Sequence, residues 1–170
     1  NQSCSGDLVL TSYGLEGKPA YAINGALRKM EKPAFKIDFK PQMTKEKVLE
    51  VLKKAKNPSQ GLKELKLGEV AIFWIKNFVS KERFLNPKEL AQSIKEFAVG
   101  MKEFRPIEEV ISSAGGVSDT EISESGELNR FPNVFVAGEM IDWDAPTGGY
   151  LIQGCVSSGY VSGKAISRII

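Results

Sequence analysis

One stretch near the end of this chain constrains its fold more than any other. Asn133 to Ala137 reads NVFVA, an apolar run that stops at Gly138-Glu139. A loop with Asp142, Trp143, Asp144 and Pro146 follows, and Thr147-Gly148-Gly149 then opens a helix running to about Ile169. A continuous apolar run of this kind is expected in a strand covered on both faces. A covered strand handing over to a long helix places the chain in the α/β (or α+β) class. In open α/β sheets the C-terminal edge of a strand is where ligands bind, and here that edge carries a glycine and a carboxylate. The glycines at the helix start let a ligand approach the backbone, and their unpaired N–H groups favour an electron-rich or anionic group. Along the helix Cys155, Gly159 and Gly163 recur every four residues, a small-residue stripe expected to pack against the sheet.

The rest of the chain has a different texture. Leu8 to Thr11 reads as a strand, Gly14 and Gly17 bracket a turn, and Pro19 suits the first turn of a helix carrying Tyr21, Ile23, Ala26, Leu27 and Met30. Phe35, Ile37 and Phe39 alternate with Lys36, Asp38 and Lys40, the pattern of a half-buried strand. Thr44 caps a helix with Val48, Leu49, Val51, Leu52 and Ala55 on one stripe, which Asn57-Pro58 stops. Leu65 to Val79 reads as one helical segment buried on most sides. Asn86-Pro87 opens another, with Leu90, Ala91, Ile94, Phe97 and Ala98 inside. After Arg105-Pro106 the charged amphipathic helices give way to short apolar runs with glycine-rich ends, and Glu109 to Ser113 reads as a strand ending in Ala114-Gly115-Gly116. The expected division is therefore 1–106 and 107–170.

Composition removes several function classes. With 23 Lys and Arg against 21 Asp and Glu, the net charge of +2 gives no bulk-charge argument for nucleic acid or a membrane surface. The chain has no histidine, so Ser-His-Asp and Cys-His catalysis and His-ligated metal are excluded within it. Its two cysteines, Cys4 and Cys155, form no CxxC, and no metal site is expected. A disulfide between them stays open, with a reduced cytoplasmic protein the simpler reading. Gly68 to Val79 is too short and polar to span a bilayer. A polar start without Met that runs at once into a strand reads as a chain entered in its middle, a fragment; a processed protein is the bland alternative.

The strand–AGE–loop–TGGY–helix pattern resembles the C-terminal end of FAD-dependent oxidoreductases of the two-dinucleotide-binding-domain type. Within these it is most similar to a bacterial NAD(P)/FAD-dependent, aminoacetone-oxidase-like flavoprotein family. Ser113-Ala114-Gly115-Gly116-Val117 resembles that family's TAGGV, and Ala137-Gly138-Glu139-Met140 with Asp142 its AGE motif and following Asp. Thr147-Gly148-Gly149-Tyr150 with Gln153 resembles TGGYNLQ. Tyr13-Gly14-Leu15-Glu16-Gly17 with Pro19 resembles FGISGP at a helix entry of the inserted domain. Family members carry an N-terminal βαβ unit whose GxGxxG holds the FAD pyrophosphate, and no GxGxxG occurs in these 170 residues.

The resemblance implies that residues 1–106 are part of an inserted, largely helical domain and 107–170 a partial Rossmann-like, FAD-facing segment. It implies hydride or electron transfer through FAD in the parent, with NAD(P)H as a candidate donor, a small-molecule substrate that the sequence does not name, and weak FAD binding and no activity by this chain alone. Its partner is then the missing N-terminal dinucleotide-binding half, on the same or a separate chain. The cofactor-facing candidates are Gly115, Gly116, Gly138, Glu139, Thr147, Gly148, Gly149 and Tyr150. Glu139 would accept from flavin ribityl or ribose hydroxyls, and Gly148 to Tyr150 would face the isoalloxazine edge. The plain readings are a capping carboxylate, a glycine turn and an ordinary helix entry. For Asp142 and Asp144 loop solvation outweighs paired acid–base work, and Cys155 reads as a packed thiol. The alternative function is a stand-alone small α/β domain that binds a ligand or partner and catalyses nothing.

Overall fold

The computed structural model describes residues 3–169. Strands β1 (Val9–Leu10) and β2 (Leu15–Glu16) form a short antiparallel hairpin. At Gly17, φ is 103° and a Cβ would stand 2.6 Å from the Asp7 carbonyl oxygen, so glycine is required where the hairpin turns into α1 (Lys18–Leu27). Pro19 sits in the first turn of α1 as expected. The helix ends at Leu27, and Met30 is exposed.

Strand β3 (Ala34–Ile37) alternates exposed and half-buried residues as its sequence requires. The helices that follow are set by their caps. Thr44 accepts from the Lys47 amide and starts α2 (Lys45–Lys54). Asn57 accepts from the Gln60 amide and starts α3 (Pro58–Glu64). Next come α4 (Glu69–Phe78), α5 (Lys81–Leu85) and α6 (Pro87–Lys95), the last capped by Asn86. Strand β4 (Phe97–Gly100) then pairs antiparallel with β3, Phe35 opposite Val99.

Three expectations fail here. The segment 65–79 is not one helix: Lys66 takes a left-handed φ of 52°, and the helix restarts at Glu69. Nor is α4 buried on most sides, since Val70 and Phe73 are more than half exposed while Ala71 and Ile75 face inward. Phe97 and Ala98 lie in β4 rather than inside the last helix, because β3 supplies a ladder of backbone partners that a longer α6 would forgo. The core gathers Val48, Leu52, Leu62, Leu65, Ile75, Leu90, Ile94 and Phe97, with Phe39 and Trp74 packed on it.

Beyond Gly100 the backbone is mostly irregular. Short 3-10 turns occupy Ile107–Glu109, Asp119–Glu121 and Gly138–Met140. Strand β5 (Glu127–Leu128) pairs antiparallel with β6 (Phe131–Phe135), and α7 (Tyr150–Ile166) follows. The expected strand over 109–113 does not form and shares no sheet with β6. Its Ser113 amide is taken by a side chain instead of a neighbouring strand. The NVFVA run is also not covered on both faces: β6 pairs with β5 alone, and Val134 is 46% exposed.

The fold is mixed α/β, as expected, and its contacts divide it into two compact units, Leu27–Lys102 and Asn1–Ala26 with Glu103–Ile170. The N-terminal hairpin thus groups with the C-terminal segment rather than with the helical middle. Arg105 holds its guanidinium over the Tyr13 ring, 5.0 Å from the centroid, within that composite unit. Among the described residues no helix is long and apolar enough to cross a membrane. Both cysteines are free thiols.

Candidate functional site

The site is built where β6 ends. Val136 is the buried apolar residue there; its amide donates to the Gly126 carbonyl at 2.9 Å, and its own carbonyl accepts from Ser162 Oγ at 3.1 Å. At Gly126, φ is 86° and a Cβ would strike the Ser162 hydroxyl, so a glycine and a serine share that space. One turn earlier in α7, Ser158 Oγ accepts from the Gly138 amide at 2.9 Å and donates to the Gly154 carbonyl at 2.8 Å. The Trp143 ring lies against Gly154, where a Cβ would collide with it. Thus Gly154, Ser158 and Ser162 form the docking stripe of α7, at i, i+4 and i+8. The expected stripe is rotated from this face: Cys155 is half-buried at its margin, and Gly159 and Gly163 are exposed with nothing within 4 Å of a Cβ.

With the strand end fixed, Gly138 adopts a φ of 76° and sends Glu139 toward the 113–117 segment. Glu139 Oε1 accepts from the Ser113 amide at 2.9 Å and lies 3.4 Å from its hydroxyl. Asp142 Oδ1 accepts from the Gly115 amide at 3.0 Å. Between these contacts the Val117 amide donates to Met140 O at 2.8 Å, and the Asp142 amide donates to Val117 O at 2.9 Å, closing a parallel bridge of Val117 with Ile141. Gly116 has a φ of 141°, and a Cβ there would run into the Met140 carbonyl. Gly115, at φ 97°, has open space at its Cβ position. Asp142 therefore captures backbone.

The head of α7 is separately arranged. Gly148 and Gly149 have φ values of 113° and 85°, and Gly149 is the N-cap, with no side-chain cap. The helix proper begins at Tyr150, so the two glycines precede it instead of lying in its first turn as expected. Thr147 and Tyr150 are exposed, and a Cβ on Gly149 would have nothing within 4 Å. The first amides of a helix have no partner within it and stay available to a ligand. Among the described residues no hydrogen bond joins Thr147–Tyr150 to Gly115, Gly116 or Glu139. The structure thus brings Gly115, Gly116, Gly138 and Glu139 into one hydrogen-bonded cluster and leaves the TGGY segment outside it. A shallow depression of about 290 Å³ lies beside Gly138, walled by Trp143, Asp142, Asp119 and Ser158.

Nothing in the sequence marks Ser158 and Ser162, while Ser113 is expected there as a strand end and Asp142 and Trp143 as parts of a solvated loop. The spacing of Asp142, three residues after Glu139, was the available signal; the serines carried none, because their partners are backbone atoms. Elsewhere in this unit the Tyr13 hydroxyl donates to Glu16 at 2.7 Å, and the adjoining carboxylate pushes the phenol's pKa up.

The family model described as the HI0933-like protein Rossmann domain matches residues 10–165. A curated relative, the 3-dehydro-bile acid delta(4,6)-reductase of Clostridium scindens, is 23% identical over 184 aligned residues. That alignment takes in 96% of this chain and 44% of the relative, so the chain spans less than half of that relative's length.

Proposed function

This chain belongs to the HI0933-like Rossmann-domain family, and on that premise we propose that it forms the flavin-facing part of an FAD-dependent oxidoreductase. The observation that carries the proposal is the family match across residues 10–165, which includes the clustered strand end at Gly138-Glu139. The residues suit the polar half of a flavin. Gly115 and Gly149 hold left-handed backbone with open space where a side chain would stand, and the unpaired amides at the head of α7 suit a carbonyl-rich ring edge. The second carboxylate oxygen of Glu139 is the candidate acceptor for ribityl or ribose hydroxyls. Gly116, Gly138, Thr147, Gly148 and Tyr150 complete the proposed lining. When bound, FAD supplies hydride or electron transfer; the protein contributes orientation and electrostatics. NAD(P)H is the proposed donor and a small molecule the substrate.

The division proposed for the parent keeps 1–106 with an inserted domain and 107–170 with the cofactor domain. Its partner is a GxGxxG-bearing segment, on the same or another chain, covering apolar surface left open here. Ile152, Val156 and Tyr160 on α7 are each at least 65% exposed, which is unusual for a helix so rich in apolar residues. A bacterial, cytoplasmic enzyme is part of the same proposal. One observation favours the alternative of a stand-alone binding domain: residues 27–102 possess a complete core of their own.

The test is a flavin titration of the purified chain, read by visible absorption, alone and with a GxGxxG-bearing half of a family member supplied in trans. The proposal expects retained flavin only in the second arm. Absence of flavin from both arms would remove the flavin assignment, and tight binding by the chain alone would remove the need for the partner.

A further inference from the structure

We infer that Asp142 is a positioning residue, which together with Glu139 clamps the Ser113–Gly116 loop into one conformation against the end of β6. Two carboxylates, three residues apart on one turn, reach across to amides two residues apart on one loop: Glu139 to Ser113 and Asp142 to Gly115. The spacing matches because the Met140 and Val117 backbones pair between them, at 2.8 and 2.9 Å. Gly115 and Gly116 both have left-handed φ values, a conformation that the loop's own residues do not enforce, since glycine enters it and leaves it freely. Gly116 is confined by the Met140 carbonyl beside it. Gly115 has no neighbour within 4 Å of its Cβ position, so its amide bond to Asp142 is what defines its orientation. A carboxylate accepting a backbone N–H is a strong restraint for so open a loop.

What the clamped loop faces rests on the flavin reading above; the clamp itself does not. It is therefore tested without flavin, on the full chain labelled with ¹⁵N, by amide hydrogen exchange and amide chemical shifts. In Asp142→Ala the Gly115 amide should exchange about tenfold faster or more and lose its hydrogen-bonded shift, as expected for loss of one charge-assisted bond. In Asp142→Asn, whose side-chain oxygen still accepts, protection should be largely restored. The Val136 amide, bonded to Gly126, should be unchanged in both variants. Unchanged Gly115 exchange in Asp142→Ala would overturn the inference. So would equal acceleration at Val136, which marks general loosening, or an Asn variant indistinguishable from Ala. A failure of the flavin titration leaves these exchange rates untouched, so the two ideas fail separately.

Discussion

The two units of this chain are held together by different means. In Leu27–Lys102 the side chains of Val48, Leu62, Ile75, Ala91 and Ile94 are fully removed from water, and helices from α2 to α6 close around them. In the composite unit, Val136 and Ser162 are the buried residues among those described, and one of the two is polar. Its order comes from serine and carboxylate side chains bonded to backbone around left-handed glycines. Apolar burial contributes roughly 25 cal/mol per Å², whereas a typical net hydrogen bond contributes about 0.5–1.5 kcal/mol. The first unit is thus built to be stable by itself. The second holds a particular backbone shape while leaving its large apolar side chains uncovered.

Core truncation should separate the two units most visibly. Leu62→Ala removes a side chain with no exposed surface and should cost about 2–5 kcal/mol, read as a lower denaturant midpoint for 27–102. Val156→Ala on the open face of α7 should stay within about 0.5 kcal/mol in the isolated chain. A comparable loss from both would contradict the contrast. Next in size, Gly126→Ala combines left-handed strain with intrusion on Ser162 and should cost about 1–3 kcal/mol. The loss should appear as faster exchange around Val136, with 27–102 unaffected.

Gly149→Val probes the composite unit at the head of α7. The φ of 85° makes a β-branched residue strained by about 1–2 kcal/mol although no atom obstructs it. Gly149→Asn should recover much of that loss, since asparagine tolerates left-handed backbone. Thermal midpoint and flavin content, measured together in the reconstituted protein, separate backbone need from ligand approach: Asn restores the first and still crowds the second.

These differences explain what the sequence made legible. Thr44 and Asn86 were readable as caps because a cap is a local bargain between one side chain and the next turn. Strand β4 was not, because Phe97 continues the apolar count of α6 and its partner Ile37 lies in a distant part of the chain. The docking face of α7 escaped for a subtler reason. Cys155-Gly159-Gly163 and Gly154-Ser158-Ser162 are both small-residue stripes at a spacing of four, one residue out of phase, and the polar one faces inward because two backbone groups need its hydroxyls. The glycine and carboxylate at Gly138-Glu139 are legible as a strand end, and Gly115-Gly116 as a glycine turn, but the strand expected just before that turn does not form.

The smallest expected effect is in the helical unit. Lys36 on β3 bonds Glu96 at 2.5 Å, and this bond, followed by one from Gln92, holds the Glu96 carboxyl below its usual range. A depressed carboxyl contributes stability above its unfolded-state pKa and loses it as pH falls through the folded value. Glu96→Gln should therefore flatten a slight acid-side fall in stability without changing the neutral-pH fold. The pair is exposed, so a large change there would be unexpected.

On the proposed function, residues 27–102 hold their fold on their own core, whereas the composite unit gains order when a partner covers it. Native-state hydrogen exchange of the isolated chain, resolved by peptide, tests it directly. Deep protection that reports global unfolding is expected across Val48, Leu62 and Ile94, and much weaker protection across β6 and α7, rising when a GxGxxG-bearing half is added. Equal protection of both regions in the isolated chain, unmoved by the added half, would contradict it.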